Sequence, residues 1–393
     1  MKRLDALMQY LEEQVDFQRI AIVKTQLKKA LNYRKTNRLA VRILSQPDNW
    51  NCFPYQEAVN DLEKMLFNEL IGSTKGSVYN SLTLKDDSLP VIRANYGAGI
   101  LPSLFGLTSG FGPDGRLRAK PLESLEAIRR IIDRGVPSLR AGLGAKVFAT
   151  HEYFRERLSQ YPKCNGVIKI AHPDLRGPLD IAHLIWGDDL YRAFYEEPQV
   201  VAELLTLITE TFIRFLKAVK ASINDEEDSF IHHWGTLYKG SVLLTNDFAA
   251  NLPREIYQEF AQPYDEMILT AFGNGSIHYC GRADQWIFQM LETEGLAGLN
   301  IGQPAQTLFG FDFLNMIYRK AEKNKIAIID YHIKPELLKT QLFQGLLKSD
   351  FQTGVTFTSG YRGMVNNLAA AKKLLRIIEE ESIDPELQPN IIG

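Results

Sequence analysis

The sequence predicts an α/β fold, and within that class a (β/α)8 TIM barrel with an N-terminal helical extension. Eight short apolar runs have the length of β-strands, and helical patterns separate most of them. The 393 residues, 45% of them hydrophobic, suit one barrel domain with extensions. An open doubly wound sheet is the alternative. It is disfavoured because the first strand-to-helix turn carries no GxGxxG motif, and Gly97 and Gly99 lie in a long loop instead.

The first part of the chain has apolar residues at helical spacing, with Leu4, Met8 and Leu11 on one side. We therefore predict a helical extension over residues 1–37 and a barrel domain over residues 38–393. The predicted barrel strands, in order, are Leu39–Ser45, Leu89–Asn95, Val167–His172, Phe230–Trp234, Ser276–Cys280, Leu296–Ile301, Ile326–His332 and Val355–Ser359. The clearest predicted helices are Tyr55–Leu70, Ala202–Val219, Glu255–Phe272 and Asn367–Glu379.

Composition excludes several classes of protein. The 45 lysines and arginines nearly balance the 47 aspartates and glutamates, so we expect no nucleic-acid or membrane partner. Three widely spaced cysteines, Cys52, Cys164 and Cys280, argue against a disulfide scaffold and for a reducing compartment. The N-terminus has no signal-peptide pattern, and no segment approaches the roughly 20 apolar residues of a membrane span. A cytoplasmic protein is the expectation.

In a TIM barrel, function gathers where the strands end at their carboxyl side. This rule selects polar residues at or after the predicted strands as candidates for catalysis or substrate binding. They are Asn95, Tyr96, His172, Arg176, His232, Trp234, Asn246, Asp247, His278, Cys280, Asp330, His332 and Tyr361.

The most specific pattern is His278-Tyr279-Cys280. Residues two apart on a strand point to the same face, so an imidazole and a thiol project together at a strand end. Zinc accepts both groups, but a catalytic zinc normally has three protein ligands. The alternative is that both residues fill the barrel interior, with the cysteine packing as a small apolar group.

Other candidates also have two interpretations. Asp330 and His332 share the two-residue spacing and could either perform chemistry or pair with each other. Arg176 could bind a substrate carboxylate or pair with a neighbouring acid. Asn246 and Asp247 could line the pocket or belong to the start of a helix.

A further ambiguity concerns His232-His233-Trp234. Successive side chains on a strand alternate between faces, so either His232 and Trp234 or His233 alone points inward.

Several segments together resemble the uroporphyrinogen decarboxylase superfamily, from about Arg38 to the final helix. The resemblance is carried by Arg176-Gly177-Pro178-Leu179-Asp180, by Asn246-Asp247 followed by Leu252-Pro253-Arg254-Glu255, and by His278-Tyr279-Cys280-Gly281. It implies a TIM-barrel enzyme.

The corrinoid methyltransferase branch of that superfamily resembles this chain at its first two zinc ligands, which map onto His278 and Cys280. The branch's third ligand is a cysteine after strand eight, and the segment Phe357–Tyr361 contains none. Asp247, Asp330 and His332 are the candidates to replace it. The decarboxylase branch matches less well, because its aspartate after strand two corresponds to the uncharged segment Asn95–Gly97.

The resemblance implies a zinc-assisted methyltransferase that uses a corrinoid or other methyl donor and a thiol acceptor. A small-molecule substrate, a corrinoid protein and a homodimer are the partners it implies. One alternative is a decarboxylase of a porphyrinogen or smaller carboxylate, with His172 or His332 as proton donor and Arg176 as anchor. Another is a non-catalytic barrel that binds a small molecule.

Overall fold

The computed structural model describes residues 2–45, 50–72, 78–113, 115, 117–122, 124–302, 309–332 and 353–359, together with 369, 371–373, 375 and 376. Tyr361, a predicted substrate-binding residue, lies outside the described residues. The predicted helix Asn367–Glu379 lies mostly outside them.

The strands are β1 Val41–Ile43, β2 Val91–Arg93, β3 Ser109–Phe111, β4 Leu117–Ala119, β5 Lys169–Ala171, β6 Glu226–Glu227, β7 Phe230–His233, β8 Thr236–Lys239, β9 Leu243–Thr245, β10 Gly275–Cys280, β11 Leu296–Gly302, β12 Ala327–His332 and β13 Val355–Ser359.

The α-helices are α1 Lys2–Gln14, α2 Phe17–Leu31, α3 Tyr55–Ala58, α4 Leu62–Ile71, α5 Val78–Thr83, α6 Ile100–Leu104, α7 Leu125–Arg134, α8 Leu143–Ser159, α9 Pro162–Val167, α10 Pro178–Trp186, α11 Asp189–Glu196, α12 Pro198–Lys220, α13 Arg254–Phe260, α14 Gln262–Ala271, α15 Ile287–Met290 and α16 Phe311–Lys323.

A parallel sheet of six strands forms the centre of the fold, in the order β1-β13-β12-β11-β10-β9. Strands β2 and β5 form a second parallel pair, and a parallel bridge between Arg176 and Thr245 connects the segment after β5 to β9. The central strands are buried on both faces, as expected where helices cover a parallel sheet. The α/β class with a parallel sheet is confirmed, and its arrangement is consistent with a TIM-barrel-like fold.

One predicted barrel strand is wrong in its role. Phe230–Trp234 was expected to be the fourth parallel strand, but β7 pairs antiparallel with β6 and β8 in a small separate sheet. The parallel neighbour of β10 is instead β9, which was not among the predicted strands. Gly240 makes this possible, because it follows β8 with a φ of 90° and lets the chain turn from the small sheet into β9.

Two predicted helices are each divided in two. The helix expected over Tyr55–Leu70 ends at Ala58, and α4 begins after Asp61, whose carboxylate accepts hydrogen bonds from the first-turn N–H groups of Glu63 and Lys64. The cap satisfies N–H groups that have no partner within the helix, so α4 begins there. The helix expected over Glu255–Phe272 likewise divides into α13 and α14, where Pro263 lies in the first turn of the second helix.

Polar contacts attach the N-terminal helices to later parts of the chain. Glu12 of α1 accepts hydrogen bonds from the main-chain N–H groups of Lys163 and Cys164 at the start of α9. Lys24 and Lys28 of α2 form ion pairs with Glu227 of β6. Charged groups therefore hold both helices against the rest of the chain. The predicted domain boundary at residue 37 stays a prediction. No helix among the described residues is both long and apolar enough to cross a membrane.

Candidate metal centre

Three adjacent parallel strands bring their carboxyl ends together. His278 of β10 lies in register with Thr245 of β9 on one side and with Asn300 of β11 on the other. Asp247 follows β9 by two residues, and Cys280 ends β10. Residues that are far apart in the chain therefore meet at one edge of the sheet.

The carboxylate of Asp247, the imidazole of His278 and the thiol of Cys280 form a compact cluster. Their ligand atoms lie within 4.8 Å of one another. The Sγ atom of Cys280 lies 3.3 Å from Nε2 of His278, and the same Nε2 lies 3.6 Å from Oδ1 of Asp247. Zinc–ligand bonds of 2.0–2.3 Å at tetrahedral angles would hold such atoms about 3.3 to 3.6 Å apart. The donor atoms therefore suit a zinc ion in type, and the two separations from Nε2 of His278 match those of ligands on one zinc.

The orientation of the imidazole is determined by Asn300. The Nδ2 group of Asn300 donates to the carbonyl oxygen of Ile329 at 2.6 Å, so Oδ1 is the atom that faces His278. Nδ1 of His278 donates to that oxygen at 2.5 Å. In the neutral ring, Nε2 then carries the lone pair on the side of Cys280 and Asp247, as a metal ligand requires.

Asp247 is held from a second direction. Its Oδ2 accepts a short hydrogen bond from Arg176, and its Oδ1 accepts the main-chain N–H of Cys280 at 2.8 Å. Arg176 also contacts Asp180 at 3.1 Å. The predicted role of Arg176 as a substrate anchor stays a prediction, but both of these aspartates already bind its guanidinium.

Asp180 supports the loop that carries Asp247. It accepts the main-chain N–H groups of Asp247 and Phe248 at 3.0 and 2.9 Å. Burial raises the pKa of Asp180 to about 7, against the opposing effect of Arg176. This residue stabilises the loop after β9 from inside α10.

Asn246 lies beside the cluster but faces the interior. Its side chain is buried and its Nδ2 donates to Asp265 at 2.5 Å. A Cβ added to Gly177 would lie 1.9 Å from Oδ1 of Asn246, so the loop before α10 approaches this residue closely because it has a glycine there. Asn246 helps to shape the site through this packing.

On strand β11, Gly302 lies in register with Cys280. A Cβ added to Gly302 would lie 2.4 Å from Cε1 of His278 and 3.0 Å from Sγ of Cys280. The imidazole and the thiol therefore occupy space that any side chain at position 302 would fill.

Trp234 packs against the imidazole of His278. Its ring meets that of His278 edge to face, with centroids 4.9 Å apart, and its indole N–H donates to Asp174 at 2.7 Å. The carbonyl of Trp234 accepts a hydrogen bond from Arg42 at 2.6 Å. Neither predicted orientation holds as stated: Trp234, which follows β7, contacts His278 without His232, and His233 lies 3.7 Å from Asp174.

Asp330 does not join the cluster. It forms a buried bidentate pair with Arg42, at 3.0 Å to Nε and 2.5 Å to Nη2. Burial raises the pKa of Asp330, and Arg42 opposes that effect. The predicted pairing of Asp330 with His332 is replaced by this ion pair; His332 ends β12 and is half-buried.

The other predicted histidines lie in different surroundings. Nδ1 of His172 donates to the carbonyl of Pro173 at 2.8 Å, and its Nε2 accepts the N–H of Leu243 at 3.3 Å. Because both ring nitrogens bind the main chain, the structure gives His172 a supporting role at the start of β9. His232 donates to the carbonyl of Asp225 at 2.9 Å and its Nε2 lies 3.4 Å from Glu227, in the small antiparallel sheet.

Asn95 and Tyr96, which follow β2, make local contacts. Asn95 donates to Glu69 at 2.8 Å, and the hydroxyl groups of Tyr96 and Thr150 share a hydrogen bond of 2.8 Å. Tyr96 also lines a cavity of about 320 Å³ together with Lys146 and other residues. None of the residues that line this cavity belongs to the Asp247–His278–Cys280 cluster.

Sequence reasoning missed two supporting residues, Asn300 and Asp180. Asn300 lies inside an apolar strand, and a polar amide in a buried strand was the signal that could have identified it. Asp180 lies in the first turn of α10, where an acidic residue is explained by the helix dipole alone.

No protein-family model and no curated protein matches the sequence. Among solved structures, the chain is similar to a methyltransferase from Methanosarcina mazei, with a TM-score of 0.59 and 15% sequence identity over 91% of this chain and 98% of that chain. At this identity the likeness shows a shared fold, a mixed α/β architecture with a parallel central sheet.

Proposed function

We propose that the chain is a zinc-assisted methyltransferase with a closed TIM barrel of the uroporphyrinogen decarboxylase type. Asp247, His278 and Cys280 would hold the zinc ion. The observation that carries the proposal is the cluster itself: three zinc-ligand types lie within 4.8 Å of one another, and the two separations from Nε2 of His278 match those of ligands on one zinc. The methyltransferase with a similar fold supports the reaction class.

The ligand set replaces one thiolate of the methyltransferase branch by a carboxylate. The replacement keeps the same formal charge, because one aspartate and one cysteine supply two negative charges, as two cysteines would. Asp247 comes from the loop after β9 and not from strand eight. We infer that the third ligand has moved from the end of strand eight to the loop after β9, the strand beside β10, while the charge around the ion would be preserved.

A bound zinc ion would lower the pKa of a thiol acceptor and keep it as the nucleophilic thiolate. The chain's own residues arrange the site for this reaction. Asn300 directs Nε2 of His278 toward the ion, and Arg176 holds Asp247 in place. We further propose that the methyl donor is a corrinoid or another methylated small molecule, delivered by a corrinoid protein at the barrel mouth, and that the enzyme is a homodimer.

Metal content tests this proposal. Protein purified without an affinity tag should contain about one zinc per chain, and Cys280→Ser should lose it because a serine hydroxyl is a poor zinc ligand. Asp247→Ala should bind zinc more weakly, because only two ligands remain. Cys52→Ser is the matched control, since Cys52 is also an exposed cysteine but its thiol contacts only the carbonyl of Gly72 in the described structure.

A second measurement addresses the reaction. The wild-type protein with zinc should transfer a methyl group from methylcobalamin to a small thiol, and Cys280→Ser should not. The proposal would be refuted if the wild-type protein contained no zinc. It would also be refuted if Cys280→Ser and Cys52→Ser retained equal amounts of zinc.

A further inference from the structure

We infer that Asn300 is the positioning residue of the metal centre: it holds His278 in the tautomer that has its proton on Nδ1, so that Nε2 is available to a metal ion. The part of this inference that concerns zinc affinity rests on the proposed function. The part that concerns the tautomer of His278 applies to the metal-free protein and does not depend on the proposed function.

The first step is the direction of the amide. Asn300 is 7% exposed, and both of its polar side-chain atoms have partners on neighbouring strands. Its Nδ2 donates to the carbonyl of Ile329 on β12, and a carbonyl cannot donate in return. The amide therefore cannot rotate without placing two oxygen atoms against each other, and Oδ1 must face His278.

The second step is the effect on the ring. A neutral imidazole has one donor nitrogen and one acceptor nitrogen. Oδ1 of Asn300 can only accept, so Nδ1 of His278 must donate to it at 2.5 Å. Nε2 is left as the acceptor, 3.3 Å from the thiol of Cys280.

The third step is the rigidity of the arrangement. His278 is 4% exposed and packs edge to face against Trp234. Arg42 holds the carbonyl of Trp234, and Asp330, which follows Ile329, holds Arg42. The carbonyl that fixes Asn300 and the ring that supports His278 are thus connected through one buried ion pair.

The test compares Asn300→Leu, which removes the acceptor at nearly the same volume, with Asn300→Asp, which keeps an acceptor oxygen. Histidine labelled with ¹⁵N reports the tautomer in metal-free protein, and loss of a signal in His278→Gln assigns it. We expect the proton on Nδ1 in wild type and Asn300→Asp, and a shift toward Nε2 in Asn300→Leu.

Zinc affinity gives the second readout. Asn300→Leu should bind zinc about 10- to 100-fold more weakly, the usual cost of losing an outer partner of a histidine ligand. Asn300→Asp keeps an acceptor for Nδ1 but places its second oxygen against the carbonyl of Ile329, so its zinc affinity should lie between those of wild type and Asn300→Leu. Asn324→Leu is the matched control, because Asn324 also donates to a main-chain carbonyl, that of Leu291 at 2.7 Å, away from the site.

The outcomes separate the two proposals. A proton on Nε2 in the wild-type protein, or equal zinc affinity in wild type and Asn300→Leu, overturns this inference. If the wild type binds no zinc, the proposed function fails, and the tautomer measurement then decides the role of Asn300 by itself.

Discussion

Two polar regions of this fold contain histidines and carboxylates near strand ends, yet they differ in what their polar atoms face. Around His172 and the Arg42–Asp330 pair, the polar groups bind the main chain or each other in the protein interior. In the Asp247–His278–Cys280 cluster, three possible metal-ligand atoms lie within 4.8 Å of one another. A position at a strand end therefore makes a residue a candidate for chemistry. The groups that its polar atoms bind then determine whether it supports the structure or belongs to a site.

The largest effect should come from breaking the interior ion pair. Asp330→Asn removes one charge while keeping a side chain that tolerates the positive φ of 54° at this position. Arg42 is 2% exposed and would lose the carboxylate that binds it at two nitrogens, at a cost of about 3–5 kcal/mol in the free energy of unfolding. Urea denaturation measures this loss.

The control for that experiment is the exposed pair between Arg282 and Asp284, at 2.7 Å. Asp284→Asn should cost less than about 1 kcal/mol, because solvent screens exposed charges. If both variants lose the same stability, the Arg42–Asp330 pair does not support the interior as described.

An intermediate effect should separate the two histidines. His172→Leu leaves the N–H of Leu243 and the carbonyl of Pro173 without their partner, which should cost about 1–3 kcal/mol of stability. Its zinc content should not change. His278→Leu should instead lose the zinc. Loss of zinc from His172→Leu while its stability is unchanged would reverse the assignment of the two residues.

The smallest effect should appear in the pH dependence of stability. Burial lowers the pKa of His151 to about 4, and the positive charge of Arg155 adds to this. Because the folded-state pKa lies below the unfolded value of about 6.5, the stabilising contribution is complete above pH 6.5 and is lost as the pH falls toward 4.

His151→Asn tests this sign. The variant should lose stability less steeply between pH 6.5 and 4, with a difference in slope of at most about 1.4 kcal/mol per pH unit. The measurement is the free energy of unfolding in urea at several pH values in that range. A wild type and a variant with parallel profiles would show that His151 does not remain neutral in the folded protein.

Much of the sheet could be predicted from the sequence. The strands β10 to β13 lie within one residue of their predicted positions, because each is an apolar run bounded by turn residues. Strand β9 was missed because Leu243–Thr245 is only three residues long and lies between polar segments. The error exchanged it with Phe230–His233, an apolar run of similar appearance that pairs antiparallel.

The site was predictable only within one strand. The proximity of His278 and Cys280 could be predicted because residues two apart on one strand point to the same face, and this spacing is visible in the local sequence. Asp247 was among three candidates for the third ligand, and spacing could not select it because the approach of β9 to β10 is a tertiary contact. Asn300 could not be assigned at all, since its role depends on carbonyl groups of a further strand.

Gly302 shows that a reactive centre can depend on a residue without any functional group. Replacing its hydrogen by a methyl group would press on the imidazole and the sulfur at once, while every donor atom stayed chemically intact. Gly302→Ala would therefore crowd the site by steric contact alone. This substitution separates the effect of the shape of the site from the effect of its ligand atoms.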